Sequence, residues 1–294
     1  MMRTAGEVAL ARLRPRFRRG TRWVVRASLD ARDALTGRRD PLVPPRRLGL
    51  ASQLHGPGRR FVAVGLLDAG SLRPGDRVLD IGCGPGRIAA ELTRHLPRGS
   101  YEGFDVVPES IAWCRRRITP RHPAFRFTLV DVDNPRYNPG GGRAAAGFGF
   151  PYPDDDIDLA FAVSVFTHLR PTETEAYLRE AARVLRPGGR LVSTFFLLNE
   201  ESETLSRRRP EHESPLYGAG PRSFEHELRD ASGHRFRTSS PGLPENRIGL
   251  EEDDALALHD AAGLDVVEVR HGHWPGRPRQ PGRLGHDLVV AVAR

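Results

Sequence analysis

Short apolar runs and amphipathic helical patterns alternate through the middle of the chain. The apolar runs predict strands, and the stretches with apolar residues three and four positions apart predict helices. The predicted strands are 77–81, 101–104, 125–130, 157–163 and 190–196, and the predicted helices are 87–95, 108–118 and 173–185. A Gly-rich loop, 138–149, follows the third strand where a further helix would be expected. Alternation of this kind is typical of a parallel sheet covered by helices.

The pattern changes after the fifth predicted strand and before the first one. Residues 199–249 are polar and show little periodicity, so we interpret them as an inserted lid or loop. The remaining predicted elements are helices over 5–36, 61–67 and 251–262 and strands over 264–270 and 287–292. We therefore divide the chain into an N-terminal helical arm, 1–50, and one α/β domain, 51–294, that contains the insert.

The basic charge is concentrated in the arm. All 45 residues counted as Lys or Arg are Arg, which excludes Schiff-base chemistry, a pyridoxal phosphate anchor and a P-loop. Residues 1–50 hold 13 Arg against four acidic residues, whereas the remaining 244 residues hold 32 Arg against 33 acidic residues. An Arg-rich helical arm can dock on a membrane surface or an acidic partner through residues 1–48. The alternative is a solvated arm that lies over the following domain.

Cysteine content and hydropathy limit the class of protein further. Cys83 and Cys114 are too few for a disulfide framework or a Cys-rich zinc site. The chain has no apolar run of about 18 residues and no pattern of a secretory signal, so we expect a cytoplasmic protein. The sequence leaves the oligomeric state open.

A glycine turn joins the first predicted strand to the helix that follows it. Gly82, Gly84 and Gly86 let the backbone approach a ligand closely, and the next helix presents free N–H groups to that ligand. A dinucleotide-binding turn would have its third glycine at position 87, where Arg87 stands. The spacing therefore favours a different nucleoside ligand.

Acidic residues lie at or just beyond the carboxyl ends of three successive predicted strands. Asp80 precedes the glycine turn, Asp105 follows the second strand and Asp131 follows the third. In an open α/β sheet these positions face one crevice. Asp105 stands where a carboxylate accepts hydrogen bonds from ribose hydroxyls, and Asp131 stands where it accepts one from an adenine amino group.

The glycine turn with an acidic residue two positions ahead of it resembles motif I of the class I S-adenosylmethionine-dependent methyltransferases. Residues 150–169 are similar to the strand-four region of that superfamily, and residues 180–196 are similar to its next helix, turn and fifth strand. The resemblance covers about residues 75–200. It implies a doubly wound, mostly parallel seven-stranded sheet of order 3214576 with the last strand antiparallel. Residues 111–118, Tyr137–Pro139 and Trp274–Arg277 are similar to a bacterial subgroup of uncharacterised acceptor.

The resemblance also implies S-adenosyl-L-methionine as the cofactor. Asp105 would bind its ribose, Asp131 and Val132 would flank its adenine, and Asp80 would help to hold its amino group. The cofactor-binding residues implied are Asp80, Gly82, Cys83, Gly84, Gly86, Asp105, Val106, Asp131, Val132 and Ser164.

The implied reaction is an in-line displacement, in which an acceptor lone pair attacks a methyl group on a positively charged sulfur. The protein chiefly aligns the reactants and excludes water, and a base is needed only where the acceptor must lose a proton. His168 is the candidate base, with a capping or packing role as its alternative. The expected wall of the acceptor pocket is Phe196, Asn199, His271, His273 and Trp274. His271 and His273 have no third ligand at a suitable spacing, so no metal is predicted.

We expect methyl transfer to a small or medium-sized organic acceptor such as a glycoside or secondary metabolite, at oxygen rather than nitrogen. The chain has no added nucleic-acid domain, and Ser164–Thr167 stand where enzymes that methylate bases have an Asn-Pro-Pro-Tyr tetrad. Three alternatives stay open. They are an RNA methyltransferase that uses the arm, a nicotinamide-dependent oxidoreductase, and a non-catalytic module that binds S-adenosylmethionine.

Overall fold

The computed structural model describes residues 55–208, 211–214, 218–221 and 223–294, together with residues 28, 30, 32, 42–45 and 48. The predicted arm, 1–50, therefore lies almost entirely outside the described residues, and its helical form and its partner stay predictions. Within the part of the chain that is described, no helix has the length and apolar character needed to span a bilayer.

The strands and helices follow the predicted alternation. The strands are β1 (Arg77–Ile81), β2 (Ser100–Asp105), β3 (Phe125–Leu129), β4 (Ile157–Ala162), β5 (Leu185–Phe195), β6 (Leu197–Leu198), β7 (Glu211–Ser214), β8 (Gly218–Pro221), β9 (His226–Arg229), β10 (Arg235–Thr238), β11 (Ile248–Glu251), β12 (Leu264–Arg270) and β13 (Asp287–Ala293). The helices are α1 (His55–Phe61), α2 (Arg87–Leu92), α3 (Pro108–Arg117), α4 (Pro171–Val184), α5 (Glu200–Arg208) and α6 (Glu252–Ala261). A π-helical segment, Val62–Ala69, continues α1, and short 3-10 turns cover Ala145–Gly147, Phe166–His168 and Pro244–Asn246.

The main sheet has the order β3-β2-β1-β4-β5-β13-β12. Strand β13 is antiparallel to both of its neighbours, and the other adjacent pairs are parallel. Counted along the sequence, this is the order 3214576 with the last strand antiparallel, so the predicted fold class is confirmed. Residues 78–81 of β1 are buried, and strands covered on both faces have continuous apolar runs.

Helices cover both faces of the main sheet. On one face α2, α3 and the π-helical segment pack against it and bury Leu66, Leu92 and Ile111. On the other face α4 and α6 bury Leu178 and Ala255. With both faces covered, the strand ends and their loops are the part of the sheet left to form a site.

The connection from α4 to β5 differs from the prediction. The predicted helix runs to 185 and the predicted strand begins at 190, whereas α4 ends at Val184 and β5 begins at the next residue. The Pro-Gly-Gly turn lies inside β5, where the register with β4 shifts between Ile157 and Leu159 and Gly188 has φ 77°. The glycines thus allow a bulge in a continuous strand.

The predicted insert, 199–249, contains regular structure. Helix α5 begins it, β7 pairs with β8, and β9, β10 and β11 join β6 in a small sheet of order β6-β11-β10-β9. Strands β9, β10 and β11 have only four residues each, and β9 is mostly exposed, so the alternation in their sequence is weak. The role of the insert as an acceptor lid stays a prediction.

Candidate functional site

A cavity of about 740 Å³ opens at the carboxyl ends of β1, β2 and β4. The strand order reverses here, since β2 and β4 lie on opposite sides of β1, and such switch points are where open α/β sheets bind ligands. The cavity has two halves. The glycine-loop half is lined by Asp80, Gly82, Gly84, Asp105 and Val132, and the histidine half is lined by Tyr137, His168, Phe196, Arg247 and His286.

The glycine turn adopts backbone conformations that other residues avoid. Gly82, Gly84 and Gly86 have φ of 73°, 52° and 76°. A Cβ at Gly82 would lie 2.7 Å from Cγ2 of Val165, and one at Gly86 would lie 2.7 Å from Sγ of Cys114. Both the left-handed backbone and the close packing therefore require glycine.

Asp105 ties the glycine turn to the end of β2. Its Oδ2 accepts a hydrogen bond from the N–H of Gly84 at 2.7 Å, and its Oδ1 accepts one from the N–H of Val107 at 2.9 Å. Burial raises the pKa of Asp105, although these backbone hydrogen bonds act against the rise. Each carboxylate oxygen retains capacity for a second hydrogen bond. A pair of vicinal hydroxyls in the cavity would supply those two donors.

Asp80 is a buried acid with one side-chain donor. The hydroxyl of Tyr101 donates to its Oδ2 at 2.6 Å. Desolvation by burial raises the pKa of Asp80 to about 8, although the hydrogen bond from Tyr101 lowers it. A carboxyl with this pKa is mostly protonated at neutral pH and becomes a carboxylate when a cation binds beside it.

His168 is oriented by the backbone of the insert. Its Nδ1 lies 2.7 Å from the carbonyl oxygen of Glu245. Because a carbonyl only accepts, Nδ1 carries the proton and Nε2 has the lone pair. The hydroxyl of Tyr137 donates to Nε2 at 3.3 Å. Burial lowers the pKa of His168 to about 4, so the imidazole is neutral at physiological pH.

Residues 78–189 match the model of a family described as a methyltransferase domain. Over these residues, 112 of the 294, the chain is similar to methyltransferase domains. The match covers the glycine turn, the three acidic positions and the fourth strand, and it confirms the resemblance to the class I superfamily.

Curated relatives are similar to part of this chain. A phthiotriol/phenolphthiotriol dimycocerosates methyltransferase of Mycobacterium leprae is 32% identical over 118 residues, which are 40% of this chain and 36% of that protein. A fatty-acid O-methyltransferase of Mycolicibacterium smegmatis is 34% identical over 120 residues, 41% of this chain and 37% of that protein. The chain spans about a third of the length of the curated relatives that it matches.

A solved structure of a protein from Pyrococcus horikoshii OT3 has the same fold. It is 16% identical to this chain, with a TM-score of 0.50, over 80% of this chain and 91% of that chain. At this identity the likeness concerns the fold alone.

The fold brings most of the predicted cofactor-binding residues to the cavity. Those that line it are Asp80, Gly82, Cys83, Gly84, Asp105, Val106, Val132 and Ser164. Ser164 has φ 58°, an uncommon conformation for a residue with a side chain. Its N–H donates to Oγ1 of Thr194 at 2.8 Å, and its Oγ lies 3.3 Å from Nδ1 of His286. Backbone strain of this kind is concentrated at functional sites.

Two of the predicted cofactor residues do not line the cavity. Gly86 packs under the turn, and its role is to let α2 approach α3. Asp131 is exposed and accepts a hydrogen bond from Nδ2 of Asn138 at 3.2 Å. The chain past β3 continues extended, with a bridge from Val132 to Arg143, so successive side chains alternate and Asp131 points away from the buried Val132.

Most of the predicted acceptor wall also lies elsewhere. Phe196 lines the cavity, but Asn199, His271, His273 and Trp274 do not. Nε2 of His271 pairs with Glu252 at 3.0 Å, and Nδ2 of Asn199 donates to the same carboxylate at 2.6 Å. Strand β12, which precedes the two histidines, is four strands from β1, roughly 19 Å at the usual strand spacing.

Trp274 has a structural role behind the cavity. Its Nε1 donates to Oδ2 of the buried Asp287 at 2.6 Å. Its ring packs edge-on against Phe196, with the ring centroids 5.3 Å apart. Trp274 therefore supports the wall through Phe196 without forming it.

The histidine half includes residues that sequence reasoning missed or left unassigned. They are Arg136, Tyr137, Asn246, Arg247 and His286, which come from three separate loops. His286 immediately precedes β13. The amino end of an antiparallel strand lies at the same edge as the carboxyl ends of its parallel neighbours, and this rule would have pointed to His286. Among the described residues, no group of three or more His, Cys, Asp or Glu is placed to hold a metal ion.

Proposed function

We propose that the protein is an S-adenosylmethionine-dependent methyltransferase that acts on an oxygen atom of a small or medium-sized organic acceptor. The observation that carries the proposal is the junction of the glycine turn with Asp105, where one carboxylate binds the N–H of Gly84 at 2.7 Å beside the cavity. At this junction the backbone of the glycine turn lies beside the carboxylate of Asp105, which can accept hydrogen bonds from two hydroxyl groups. A nucleoside ligand requires both features.

The residues of the glycine-loop half fit the cofactor. Asp105 accepts hydrogen bonds from the ribose hydroxyls, and Gly82 and Gly84 let the backbone approach the methionine moiety. Asp80 holds the ammonium group, whose charge converts its carboxyl to a carboxylate. Val132 packs against the adenine. S-adenosylmethionine bound here would supply a methyl group on a positively charged sulfur, which leaves as a neutral thioether.

The histidine half provides the acceptor site. S-adenosylmethionine held in the glycine-loop half would make its methyl group available to an acceptor oxygen placed in this half. Where the acceptor is a hydroxyl, its proton passes to Nε2 of His168, which Glu245 keeps available through Nδ1. The hydroxyl of Tyr137 lies 3.3 Å from Nε2 and positions the acceptor beside it.

Two further observations support a small or medium-sized organic acceptor, and one of them favours oxygen. The names of two relatives are a fatty-acid O-methyltransferase and a phthiotriol/phenolphthiotriol dimycocerosates methyltransferase. The cavity has the size of a small-molecule site, and its histidine half combines apolar rings with a few polar groups.

The test is transfer of labelled methyl from S-adenosylmethionine to a panel of hydroxyl and carboxylic acceptors. With a hydroxyl acceptor, His168→Asn is expected to lower kcat by about 10²–10⁴-fold, the usual contribution of a general base. His226→Asn, a change at an exposed histidine of β9, is the matched control and should leave kcat unchanged. A full-rate His168→Asn variant would remove the base from the proposal, and absence of transfer to the whole panel would contradict the activity.

A further inference from the structure

Glu245 of the insert contacts two residues of the loop after β4 through two different oxygen atoms. Its backbone carbonyl accepts a hydrogen bond from Nδ1 of His168 at 2.7 Å. Its carboxylate oxygen Oε1 accepts hydrogen bonds from Nη2 of Arg170 at 2.6 Å and from Nε at 2.9 Å. One residue therefore holds both the proposed base and the arginine two positions after it.

The backbone between His168 and Arg170 turns both side chains towards the insert. Leu169 has an extended conformation, with φ −114° and ψ 139°, and its side chain is buried in the main core. On an extended chain, residues two positions apart point to the same side and the residue between them points to the other. Burial of Leu169 thus leaves His168 and Arg170 on the side where Glu245 lies.

Arg170 is fixed to the main fold. It immediately precedes α4, its N–H donates to Oε2 of Glu173 at 2.9 Å, and its carbonyl accepts from the N–H of Thr174 at 2.8 Å. The side chain of Arg170 is 39% exposed, whereas that of Glu245 is 2% exposed. A buried carboxylate needs a charged partner, and Arg170 supplies one from the start of a helix that packs on the main sheet.

The turn that contains Glu245, Pro244–Asn246, is short and belongs to the insert. Within it, the N–H of Asn246 donates to the carbonyl of Leu243 at 3.0 Å. A local hydrogen bond shapes a turn but does not place it against the rest of the chain. The side chain of Arg136 also donates to Asn246, but Arg136 is itself an exposed residue of a loop. The ion pair with Arg170, in contrast, ties the turn to a helix of the main fold.

The carbonyl of Glu245 decides which nitrogen of His168 carries the proton. The hydroxyl of Tyr137, 3.3 Å from Nε2, can donate or accept, so it fits either tautomer. A carbonyl only accepts, so it fits the tautomer that has its proton on Nδ1. The hydrogen bond at one ring nitrogen thereby sets the state of the other. Without the carbonyl, part of the imidazole has its proton on Nε2, where it cannot take one from a substrate.

We propose that Arg170 and the carboxylate of Glu245 are positioning residues for methyl transfer. Their ion pair seats the turn Pro244–Asn246 so that its carbonyl keeps His168 as the Nδ1–H tautomer, with Nε2 towards the acceptor. The inference rests on the proposed function, because His168 is the base of that reaction. Asn246 of the same turn lines the cavity, so the ion pair assembles the base and part of the acceptor wall together.

The tautomer of His168 tests the inference without an acceptor. The 11 histidines are labelled with ¹⁵N, and long-range proton–nitrogen correlation spectra at neutral pH show which ring nitrogen of each is protonated. His168→Asn identifies the signals of His168. We expect the unmodified protein to have a protonated Nδ1 and an unprotonated Nε2 at this residue.

Two variants break the ion pair from its two sides. Glu245→Met removes the carboxylate and keeps the backbone carbonyl, and the partly exposed Arg170 can be hydrated, so no buried charge is left unpaired. Arg170→Met leaves the buried carboxylate without this partner, and thermal melts show whether the variant is folded. In each folded variant the Nε2 signal should move towards the protonated type. Arg170→Lys keeps the charge and should stay closer to the unmodified protein.

The same variants should lower kcat for methyl transfer to a hydroxyl acceptor. We expect a loss of about 10–100-fold, the size seen when the outer partners of metal-binding histidines are removed. Affinity for S-adenosylhomocysteine should be unchanged. Arg179→Met is the matched control, because Arg179 is an exposed arginine of the same helix that pairs with Glu175. It should change neither the His168 signals nor kcat.

Three results would overturn the inference while the proposed function stands. They are a His168 that is protonated on Nε2 in the unmodified protein, His168 signals that do not change in folded Glu245→Met, and a shifted tautomer with an unchanged kcat. Failure of S-adenosylhomocysteine to bind would overturn the proposed function instead. The spectra need neither cofactor nor acceptor, so they separate the two failures.

Discussion

Binding of the cofactor product at neutral pH is expected to expel most of one proton from Asp80. Burial raises the pKa of this carboxyl to about 8 in the free protein. At pH 7 about nine-tenths of the molecules therefore have a protonated Asp80. The ammonium group of S-adenosylhomocysteine favours the carboxylate once it is bound. We expect a release of about 0.9 proton at pH 7, and an affinity that rises almost tenfold per pH unit until the pH reaches about 8.

Calorimetry in several buffers measures this release directly. The observed binding enthalpy at pH 7 is plotted against the ionisation enthalpy of phosphate, imidazole and Tris, and the slope gives the number of protons exchanged. Asp80→Asn should reduce the slope to near zero. Asp158→Asn changes an acid that accepts from the N–H of Arg77 at the other end of the sheet, and its slope should match the unmodified protein.

A slope near zero in the unmodified protein would refute the reasoning about Asp80. It would mean that Asp80 does not change its protonation state on binding. A slope that persists in Asp80→Asn would assign the proton to another group and lead to the same conclusion.

Three further predictions concern the frame around the cavity. Trp274→Phe should lower the free energy of unfolding by about 1–3 kcal/mol in urea titrations, because the buried Asp287 loses a donor at 2.6 Å, while affinity for S-adenosylhomocysteine stays unchanged. Gly86→Ala should lower the melting temperature and weaken cofactor binding, since φ is 76° and its Cβ would meet Cys114. Burial lowers the pKa of His259 from 6.5 to about 4, so the unfolded chain binds a proton that the native state does not. Stability should therefore fall as the pH drops from 6.5 to 4, and in urea titrations at both pH values His259→Gln should reduce that fall by about 3 kcal/mol.

The glycine turn and Asp105 could be predicted because their chemistry is local. A strand, a turn with Gly82 and Gly84 and the following helix are consecutive in sequence, and the turn dictates its own backbone conformation. The resemblance to the class I methyltransferase superfamily predicts the order of the main sheet. The position of Asp131 just past a strand end predicts a cofactor contact, but the alternation of side chains along the extended chain turns it away from the buried Val132.

The histidine half could not be predicted because it depends on distant parts of the chain. The carbonyl of Glu245 orients His168 across 77 residues, and Arg247 reaches the same half from the insert. The insert has weak alternation, so its strands and their contacts left no pattern in the sequence. His271 and His273 follow a strand whose carboxyl end has the expected direction, but the strand lies at the edge of the sheet, far from the switch point.

The central claim is that the junction of the glycine turn with Asp105 binds S-adenosylmethionine. The most direct test is calorimetric titration of the protein with S-adenosylhomocysteine, repeated on Asp105→Asn and on Asp131→Asn, with thermal melts to show that each variant is folded. The account predicts micromolar binding that Asp105→Asn weakens by roughly 1.5–3 kcal/mol, the value of hydrogen bonds to a charged group, and that Asp131→Asn leaves unchanged. No binding to the unmodified protein, or equal binding to folded Asp105→Asn, would contradict it.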